Sequence, residues 1–362
     1  MAFCSIRLYN FRNLANATVP TDAKQVFLIG KNGQGKTNFL EAMYYACYAS
    51  SFRTRRDDVL KAHETEEMAV EATFYHDEDQ EDLRSVLIKQ RGKRKEIELD
   101  GTSVSDRKEI VANIPCVVFC HDDIAFVTGA PDMQRWFMNQ TQALIDPSVV
   151  TDLRNYTKVL KSRNAALKAN QRSVIDVLDQ QMAEFGVRIQ AKRAALVDAL
   201  APSVTSLFSE IFDQNVKIEL DYRPSWDEGV TPDDAYMLLE KNRDRDLDLG
   251  TSSSGPHRDK YPMRLDGAPL TEVASTGQLR LVSLLLRVAQ ANLLSELGGR
   301  KPVLLLDDVL LELDPTRRKR FVEALPAFDQ VFFTFLPDEQ YSRLENADTL
   351  RYTVSGGTIA QG

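Results

Sequence analysis

The sequence predicts an α/β protein in which a phosphate-binding core is interrupted by an inserted, mainly helical part. Three observations support this class. Residues 30–38, GKNGQGKTN, follow the apolar run QVFLI and precede FLEAMYYACY, a pattern of strand, loop and helix. A second apolar run, VLLLDD, ends in paired carboxylates near the C-terminus. Long segments with helical spacing fill the interval, so two distant parts of the chain are expected to build one site.

The segment GKNGQGKTN has the composition of a phosphate cradle. Its glycines allow positive φ angles and close approach of the backbone, so several N–H groups can point at one anion. The following helix adds its positive N-terminal end, Lys36 can reach the outer phosphates, and the Thr37 hydroxyl can bind the magnesium ion of a nucleoside triphosphate. The match to G-x-x-x-x-G-K-[ST] is complete, which disfavours an ordinary glycine-rich turn. The predicted nucleotide-binding residues here are Gly30, Lys31, Asn32, Gly33, Gln34, Gly35, Lys36, Thr37 and Asn38.

The remaining elements follow from their patterns. Short apolar runs separated by turns predict strands at SIRLYNF, QVFLI, MAVEATFY, SVLIKQ, EIELDG and CVVFC. From about Asp132 the spacing becomes helical, and the stripe of Leu153, Tyr156, Leu160 and Leu167 predicts a packed helical lobe without a ligand. Strand patterns return at VKIELDYRP, at VLLLDD and at QVFFTF, with a polar, acidic stretch after the first of these.

Composition limits the class of protein. The chain has 362 residues, 43% of them apolar and 27% charged, with a formal net charge of −8. We expect no membrane-spanning segment, no signal peptide and a cytoplasmic location. The net charge means that any nucleic-acid site must be a local basic face. Cys116, Cys120 and His121 invite a metal-binding interpretation, but CVVFC is better explained as a buried strand in a reducing compartment.

The paired carboxylates complete a predicted phosphate site. Asp307 follows the apolar strand and is placed to bind Mg²⁺ through water, and Asp308 is placed to orient or deprotonate an attacking water. The long separation from Lys36 distinguishes this arrangement from kinases, small GTPases and transporter cassettes, in which the two motifs lie much closer. The sequence therefore predicts that a segment is inserted between two halves of one site.

A third motif precedes the carboxylates. Ser275, Thr276, Gly277 and Gln278 stand ahead of a long apolar helix, where a hydroxyl, an amide and the helix dipole can hold a γ-phosphate. This pattern resembles the signature of ABC-type ATPases, in which the phosphate belongs to the partner's nucleotide. Taken alone, it is equally compatible with a plain helix N-cap. Its position ahead of LLLDDVLLELD favours the signature, so Ser275, Gly277 and Gln278 join the predicted nucleotide-binding residues.

Together these motifs resemble the RecF family of bacterial recombination-repair ATPases, which is related to the SMC heads. The resemblance runs almost from end to end, through LYNFRNL, SFRTRRDD, VVFCHDDIAFVTGAPDMQRWFMN, GPHRDKY, STGQLR and LLLDDVLLELDPTRR. It implies an ABC-type, SMC-head-like ATPase lobe (residues 1–131 and 250–362) with an inserted helical lobe (residues 132–249). It adds Arg12 to the ATP-binding residues, with ATP and Mg²⁺ as cofactors.

The resemblance also implies a function. It predicts a weak, DNA-dependent ATPase that dimerises on ATP, binds gapped or junction DNA and helps RecO and RecR to load RecA. Two residues depart from the family pattern: Leu311 replaces the serine usual after the paired aspartates, and Thr334 stands where transporter cassettes carry a histidine. The first puts communication across the dimer in question, and the second leaves the site without a strong base.

Length separates this chain from the SMC proteins. Residues 149–201 can form two arms of roughly 20–30 residues, or about 30–45 Å at the rise of an α-helix. SMC proteins need much longer coiled coils and a hinge. A transporter-coupled cassette is disfavoured by the motif separation, and a nuclease with an ABC head would need a further cluster of carboxylates, which the sequence lacks.

The DNA contacts are predicted from two basic segments. KQRGKRK, residues 89–95, lies between two predicted strands, and FRTRR follows the helix of the phosphate loop. Each can contact DNA phosphates or form a solvated surface turn. The candidate DNA-binding residues are Lys89, Arg91, Lys93, Arg94, Arg53, Arg55 and Arg56. His257, Arg258 and Asp259 in GPHRD form either a loop near the nucleotide or a structural polar turn.

Overall fold

The structure is a computed structural model that describes residues 2–54, 56–75, 82–105, 108–111, 114–212, 216–299, 301–339 and 341–362. The chain forms two compact units, Met1–Asp122 with Gln290–Gly362, and Asp123–Ala289. Both the first and the last segment of the chain therefore belong to unit 1, and one continuous segment forms unit 2. The lobe boundaries expected at residues 132 and 250 differ from the bounds of these compact units and stay a prediction about the domains.

The fold is mixed α/β. The strands are β1 (Ala2–Tyr9), β2 (Ala17–Pro20), β3 (Gln25–Ile29), β4 (Glu67–Tyr75), β5 (Leu83–Arg91), β6 (Arg94–Leu99), β7 (Thr102–Ser103), β8 (Cys116–Phe119), β9 (Ile218–Leu220), β10 (Met263–Leu265), β11 (Ala268–Pro269), β12 (Val303–Leu306), β13 (Gln330–Phe335), β14 (Thr349–Ser355) and β15 (Thr358–Gln361). The α-helices are α1 (Lys36–Tyr48), α2 (Lys108–Val111), α3 (Ala125–Thr128), α4 (Pro131–Ile145), α5 (Ser148–Lys168), α6 (Arg172–Phe212), α7 (Pro232–Lys241), α8 (Arg243–Leu249), α9 (Leu270–Val273), α10 (Thr276–Gly298) and α11 (Pro315–Glu323).

A mostly parallel sheet organises unit 1. Its strand order is β15-β14-β3-β13-β12-β8, and only β15 runs antiparallel to its neighbour. The runs CVVF of β8 and VLLL of β12 are buried at every position, as expected for strands of a parallel sheet that is covered on both faces. Since β13 lies between β3 and β12, the carboxyl ends of β3 and β12 meet at one edge of the sheet.

A second, antiparallel sheet of unit 1 has the order β2-β1-β4-β5-β6-β7. In β4 the buried positions alternate with more exposed ones, which is the pattern of a sheet with one solvated face. Helix α1 contacts strands of both sheets, and 11 of its 13 residues are buried, so it is apolar around most of its circumference. The strands predicted from the N-terminal sequence are confirmed.

Helices dominate unit 2, together with the small sheet β11-β10-β9. The predicted apolar stripe lies in the helical core: Tyr156 is buried in a cluster with Met182, Ile189 and Trp226, and Leu153 and Leu160 pack against that cluster. Leu167 is buried in a neighbouring cluster around Ile175. The stripe is therefore core packing, as predicted.

Helix α6 is longer than the sequence suggested. It has 41 residues and continues through Pro202, whereas arms of roughly 20–30 residues are expected from residues 149–201. Among the described residues it is also long and apolar enough to cross a membrane by length and composition, with a most apolar stretch of mean hydropathy 1.3 that is 44% buried. The expectation that no segment approaches a membrane span therefore does not hold on composition alone. Its contacts with α5, α7 and β9 are those of a core helix.

Ion pairs occupy part of the interior of unit 2. The fully buried Arg163 of α5 donates to Asp179 of α6 and to Asp246 of α8, the latter at 2.6 Å, and also to Ser252 at 2.8 Å. One guanidinium thereby joins three helices and the segment that follows α8. A buried guanidinium requires such partners, because an unpaired charge in the interior is strongly destabilising.

We predict that Arg163→Met lowers the free energy of unfolding by about 3–5 kcal/mol, since it removes the arginine from the buried Asp246 and leaves Asp179 with Arg243 alone. The matched control is Arg172→Met, at an exposed ion pair with Asp244 of α8, which we expect to cost at most about 1 kcal/mol. Urea denaturation monitored by circular dichroism measures both. Equal losses in the two variants would contradict the structural role of Arg163.

Candidate nucleotide-binding site

The phosphate loop joins the end of β3 to the start of α1. Gly33 and Gly35 have φ angles of 76° and 118°, a region that side chains rarely adopt. At Gly30 an added Cβ would lie 2.3 Å from the carbonyl oxygen of Val354, so no larger residue fits there. Gly35 caps α1 without a side-chain hydrogen bond, which leaves the first N–H groups of the helix available to an anion.

Lys36 extends back over the loop. Its Nζ donates to the carbonyl oxygen of Gly30 at 2.7 Å and lies 3.9 Å from Oδ1 of Asp308. The side chain is only 4% exposed. The ammonium group of Lys36, held at the N-terminus of α1, is placed to attract the outer phosphates of a nucleotide.

Thr37 and Asp307 bring together the two halves of the predicted site. The Thr37 hydroxyl donates to Oδ1 of Asp307 at 2.9 Å. Hydroxyl and carboxylate oxygens are hard donors of the type that Mg²⁺ prefers, so these two residues fit the magnesium ion that the family implies. Thr37 lies in the first turn of α1, and Asp307 directly follows β12, so the two motifs meet as the sequence predicts.

The carboxyl of Asp307 has an unusual pKa. Burial, followed by the charge of Asp308, raises this pKa to about 6. Hydrogen bonds from Thr37 and Thr334 and the charge of Arg53 act in the opposite direction. A carboxyl with a shifted pKa in a cleft is typical of a functional site, since a nearby cation would stabilise its ionised form.

Thr334 of β13 contacts both carboxylates. Its hydroxyl accepts from the N–H of Asp308 at 2.7 Å and lies 2.8 Å from Oδ1 of Asp308 and 3.3 Å from Oδ1 of Asp307. Asp308 itself has a left-handed backbone with φ of 53°. The sequence analysis noted Thr334 only as a departure from histidine. Its proximity to Asp308 follows from the pairing of β12 with β13, which no local sequence motif predicts.

An open cleft of about 340 Å³ lies over the loop, and Arg53 contributes to its wall beside Lys36, Thr37 and Asp308. Arg53 donates to Oδ1 of Asn38 at 2.9 Å. The structure therefore places Arg53 beside the phosphate loop, although the sequence analysis grouped it with candidate DNA-binding residues. Its role in DNA binding stays a prediction.

Arg12 is bound to α1. Its guanidinium donates through Nε and Nη2 to the two carboxylate oxygens of Glu41, both at 2.9 Å, and through Nη1 to the carbonyl oxygen of Val59 at 3.0 Å. Glu41 is fully buried and also accepts from the Ser51 hydroxyl. Glu41 was missed by the sequence analysis, although a carboxylate inside the apolar run FLEAMYYACY is a usable signal. ATP binding by Arg12 stays a prediction.

The basic segment KQRGKRK forms the hairpin between β5 and β6, with Gly92 in the turn at a φ of 55°. Lys89 pairs with Glu98 at 3.3 Å, and Arg94 pairs with Glu96 at 2.9 Å. Acidic neighbours therefore offset part of the positive charge of this hairpin. DNA binding by Lys89, Arg91, Lys93 and Arg94 stays a prediction.

The other basic segment is only partly described. Arg55 lies outside the described residues. Arg56 pairs with Asp58 at 2.6 Å on the surface. A cation already paired at an exposed site offers less attraction to a DNA phosphate, so Arg56 remains a predicted contact without structural support.

The signature segment STGQ caps α10, which begins at Thr276 rather than after Gln278. The Ser275 hydroxyl accepts from the N–H of Gln278 at 3.3 Å, and the Gln278 side chain accepts from the N–H of Ser275 at 2.8 Å. This reciprocal arrangement is a capping box. The plain N-cap is therefore present in this structure, and a Cβ added at Gly277 would meet no atom within 4 Å.

The GPHRD segment lies inside unit 2. Asp259 is fully buried and accepts from Arg193 at 2.7 Å and from the Tyr222 hydroxyl at 2.6 Å. His257 lies 2.7 Å from the Tyr156 hydroxyl, and burial lowers its pKa to about 4, so the ring is neutral near pH 7. These contacts favour the structural polar turn among the two interpretations of the motif.

We predict that Asp307 loses its proton near pH 6, about two pH units above an ordinary aspartate. Replacing Asp308 by Asn should lower this midpoint, because a like charge is removed, whereas Thr334→Val should raise it, because a stabilising hydrogen bond is lost. Carboxyl ¹³C NMR of the labelled chain measures the titration, with Asp307→Asn as the assignment control. A midpoint near pH 4 would contradict the buried geometry.

Comparison with known proteins agrees with this geometry. Residues 3–357 match the model of the RecF/RecN/SMC N terminal domain family. The DNA replication and repair protein RecF of Treponema pallidum (strain Nichols) is 39% identical over 350 residues, which cover 96% of this chain and 98% of that protein. RecF of Anaeromyxobacter sp. (strain Fw109-5) is 32% identical and covers 99% of both chains.

Solved structures give the same result. The recombination mediator protein RecF with ATP, in the RecFOR pathway, superposes with a TM-score of 0.91 at 27% identity, covering 100% of this chain and 97% of that one. An Smc head domain from Pyrococcus furiosus, bound to the C-terminal domain of ScpA, is similar at a TM-score of 0.55 and 15% identity, covers 100% of this chain and 96% of that one, and supports the fold alone. The predicted ABC-type, SMC-head-like α/β class is confirmed, and the chain belongs to the RecF family within the RecF/RecN/SMC proteins.

Proposed function

We propose that this protein is an ATP-dependent, DNA-binding mediator of recombination repair. It would dimerise on ATP, recognise gapped or junction DNA and help to load RecA together with RecO and RecR in the cytoplasm. The observation that carries the proposal is the hydrogen bond between Thr37 and Asp307 beside Lys36, which assembles a triphosphate site from two distant motifs. The similarity to a RecF structure with ATP over the whole chain supports it.

ATP binding would use the groups that the loop already orients. The N–H groups of the loop and of the first turn of α1 bind the phosphates, and Lys36 exchanges its contact with the Gly30 carbonyl for the outer phosphates. Thr37 and Asp307 would hold Mg²⁺, which supplies neutralisation of the phosphate charge when it is bound. Arg53, in the wall of the same cleft, adds a positive charge beside the site.

Hydrolysis would depend on Asp308. Its carboxylate is one-third exposed to the cleft and is held by the Thr334 hydroxyl at 2.8 Å, which suits a group that orients a water molecule. A carboxylate is a weak base, and Thr334 is no base at neutral pH, so this site is built for slow turnover. Slow hydrolysis fits a protein whose ATP-bound state performs the function.

Dimerisation would use the N-terminus of α10. The Ser275 hydroxyl and the amide of Gly277 lie at the positive end of a helix of 23 residues and are exposed. In an ABC-type dimer these groups bind the γ-phosphate held by the other subunit. The capping box would then open, because the Ser275 hydroxyl cannot serve the phosphate and the Gln278 N–H in the same geometry.

We predict that Asp308→Asn binds ATP but hydrolyses it at least about tenfold more slowly, since binding groups remain while the water loses its base. The contrasting variant is Lys36→Ala, which should weaken ATP binding itself, because a charge at the outer phosphates is lost. Calorimetry gives the affinity and phosphate release gives the rate. Wild-type turnover in Asp308→Asn would mean that another residue positions the water.

We predict that ATP strengthens binding to a gapped duplex more than binding to intact duplex, measured by fluorescence anisotropy at a fixed, stated salt concentration. Ser275→Arg should abolish this increase and remain monomeric in sedimentation with a non-hydrolysable ATP analogue, because a bulky cation enters a tight interface. Its monomer should still bind ATP through residues 30–38. A wild-type chain that stays monomeric with ATP and DNA would contradict the mediator proposal.

A further inference from the structure

The hairpin of β14 and β15, near the C-terminus, contacts the phosphate loop directly. Its two-residue turn is Gly356-Gly357, with φ angles of 55° and 83°, between Ser355 and Thr358, which pair with each other. Two residues with positive φ form the type of turn that fits the twist of a β-hairpin, and glycine favours it. The sequence motifs of the site do not include this turn.

Two hydrogen bonds join the turn to the loop. The N–H of Gly356 donates to the side-chain Oε1 of Gln34 at 2.7 Å, and the N–H of Gly357 donates to the main-chain oxygen of Gln34 at 2.9 Å. The side-chain oxygen and the main-chain oxygen of Gln34 are thereby both bound by residues outside the loop. Gln34 lies between Gly33 and Gly35, the two residues whose positive φ angles give the loop its shape.

The turn also contacts the segment after β1. The N–H of Ala15 donates to the carbonyl oxygen of Gly357 at 2.9 Å. A Cβ added at Gly357 would lie 1.9 Å from the carbonyl oxygen of Asn13, which no side chain can occupy. Asn13 in turn accepts from the Asn38 side chain at 2.7 Å, at the far end of the loop.

The same strand limits the start of the loop. A Cβ added at Gly30 would meet the carbonyl oxygen of Val354 in β14 at 2.3 Å. The loop is therefore in contact with this hairpin at its first residue and at Gln34, and with Asn13 at Asn38. The contacts at Gly30 and at the main-chain oxygen of Gln34 restrict main-chain geometry, and the affinity of a phosphate cradle depends on how well its N–H groups are pre-oriented.

We propose that the β14–β15 hairpin is a positioning element for the phosphate loop, and that Gly357 sets ATP affinity without contacting the nucleotide. The close approach of Gly357 to Asn13 lets its N–H and carbonyl reach Gln34 and Ala15 at once. A residue larger than glycine would push the turn away and release Gln34. The loop would then sample other conformations before it binds phosphate. The apparent affinity for ATP would fall in proportion to the fraction of molecules whose loop is in the binding-competent conformation. This inference rests on the proposed ATP site.

The test compares the same substitution at neighbouring positions. Asparagine tolerates the left-handed backbone of both turn residues. At Gly356 nothing lies near an added Cβ, and the N–H to Gln34 remains, so Gly356→Asn should keep the KM for ATP within about twofold of the wild type. Gly357→Asn should raise the KM about tenfold, with kcat at saturating ATP unchanged within about twofold, because binding common to ground and transition states is lost.

The division between KM and kcat separates this role from general destabilisation. A variant that is partly unfolded loses active molecules, which lowers the apparent kcat and leaves the KM unchanged. Gln34→Ala provides an independent measurement, since it removes the acceptor of the Gly356 N–H without touching the hairpin, and it should raise the KM severalfold. If Gly357→Asn does not fold, the KM of Gln34→Ala for ATP alone tests whether the hairpin positions the loop.

The outcomes distinguish this inference from the proposed function. If the wild type binds no ATP, the proposed function fails. If the wild type binds ATP while Gly357→Asn and Gln34→Ala both keep the KM of Gly356→Asn, only the role of the hairpin is overturned. A raised KM in Gly357→Asn beside an unchanged KM in Gly356→Asn supports it.

Discussion

The placement of β13 between β3 and β12 is the constraint on which the site depends. β3 and β12 lie far apart in the sequence, and each is followed by residues that form only part of the predicted phosphate site. Parallel pairing aligns their carboxyl ends, so the Thr37 hydroxyl meets the Asp307 carboxylate and Thr334 meets Asp308. Because the strands of this sheet are buried, a change in its register would displace every one of these groups together.

Much of this arrangement could be predicted because it is encoded locally. The glycines of the phosphate loop, the apolar strands and the carboxylates after VLLL are all short patterns with a physical reason. Helices α7 and α8 were missed in an acidic stretch, although Thr231 and Asp234 form a capping box with a proline at the first helical position. The contacts of Arg12 with Glu41 and of Gly357 with Asn13 could not be predicted, since they join segments that only the fold brings together.

The two units use buried charge differently. In unit 2, Asp179, Asp246 and Asp259 each accept from a buried arginine, so their charges are compensated within the protein. Such networks contribute little net stability compared with apolar packing, but removing one partner is costly. They explain why polar residues recur through the otherwise apolar helices of this unit, and why the GPHRD segment keeps its polar side chains inside.

Asp307 differs from these carboxylates in its partners, and the difference supports the functional role predicted for it. It is 9% exposed and accepts from the Thr37 hydroxyl, a neutral donor that stabilises its charge only in part, and its pKa is raised. The charge of Asp308 beside it adds repulsion, which Arg53 offsets only in part, while Lys36 Nζ lies 3.9 Å from Oδ1 of Asp308. The structural carboxylates of unit 2, such as Asp259, accept from a buried arginine instead. A carboxyl with a raised pKa in a cleft is typical of a functional site, and a cation that arrived with a bound nucleotide would stabilise its charged form.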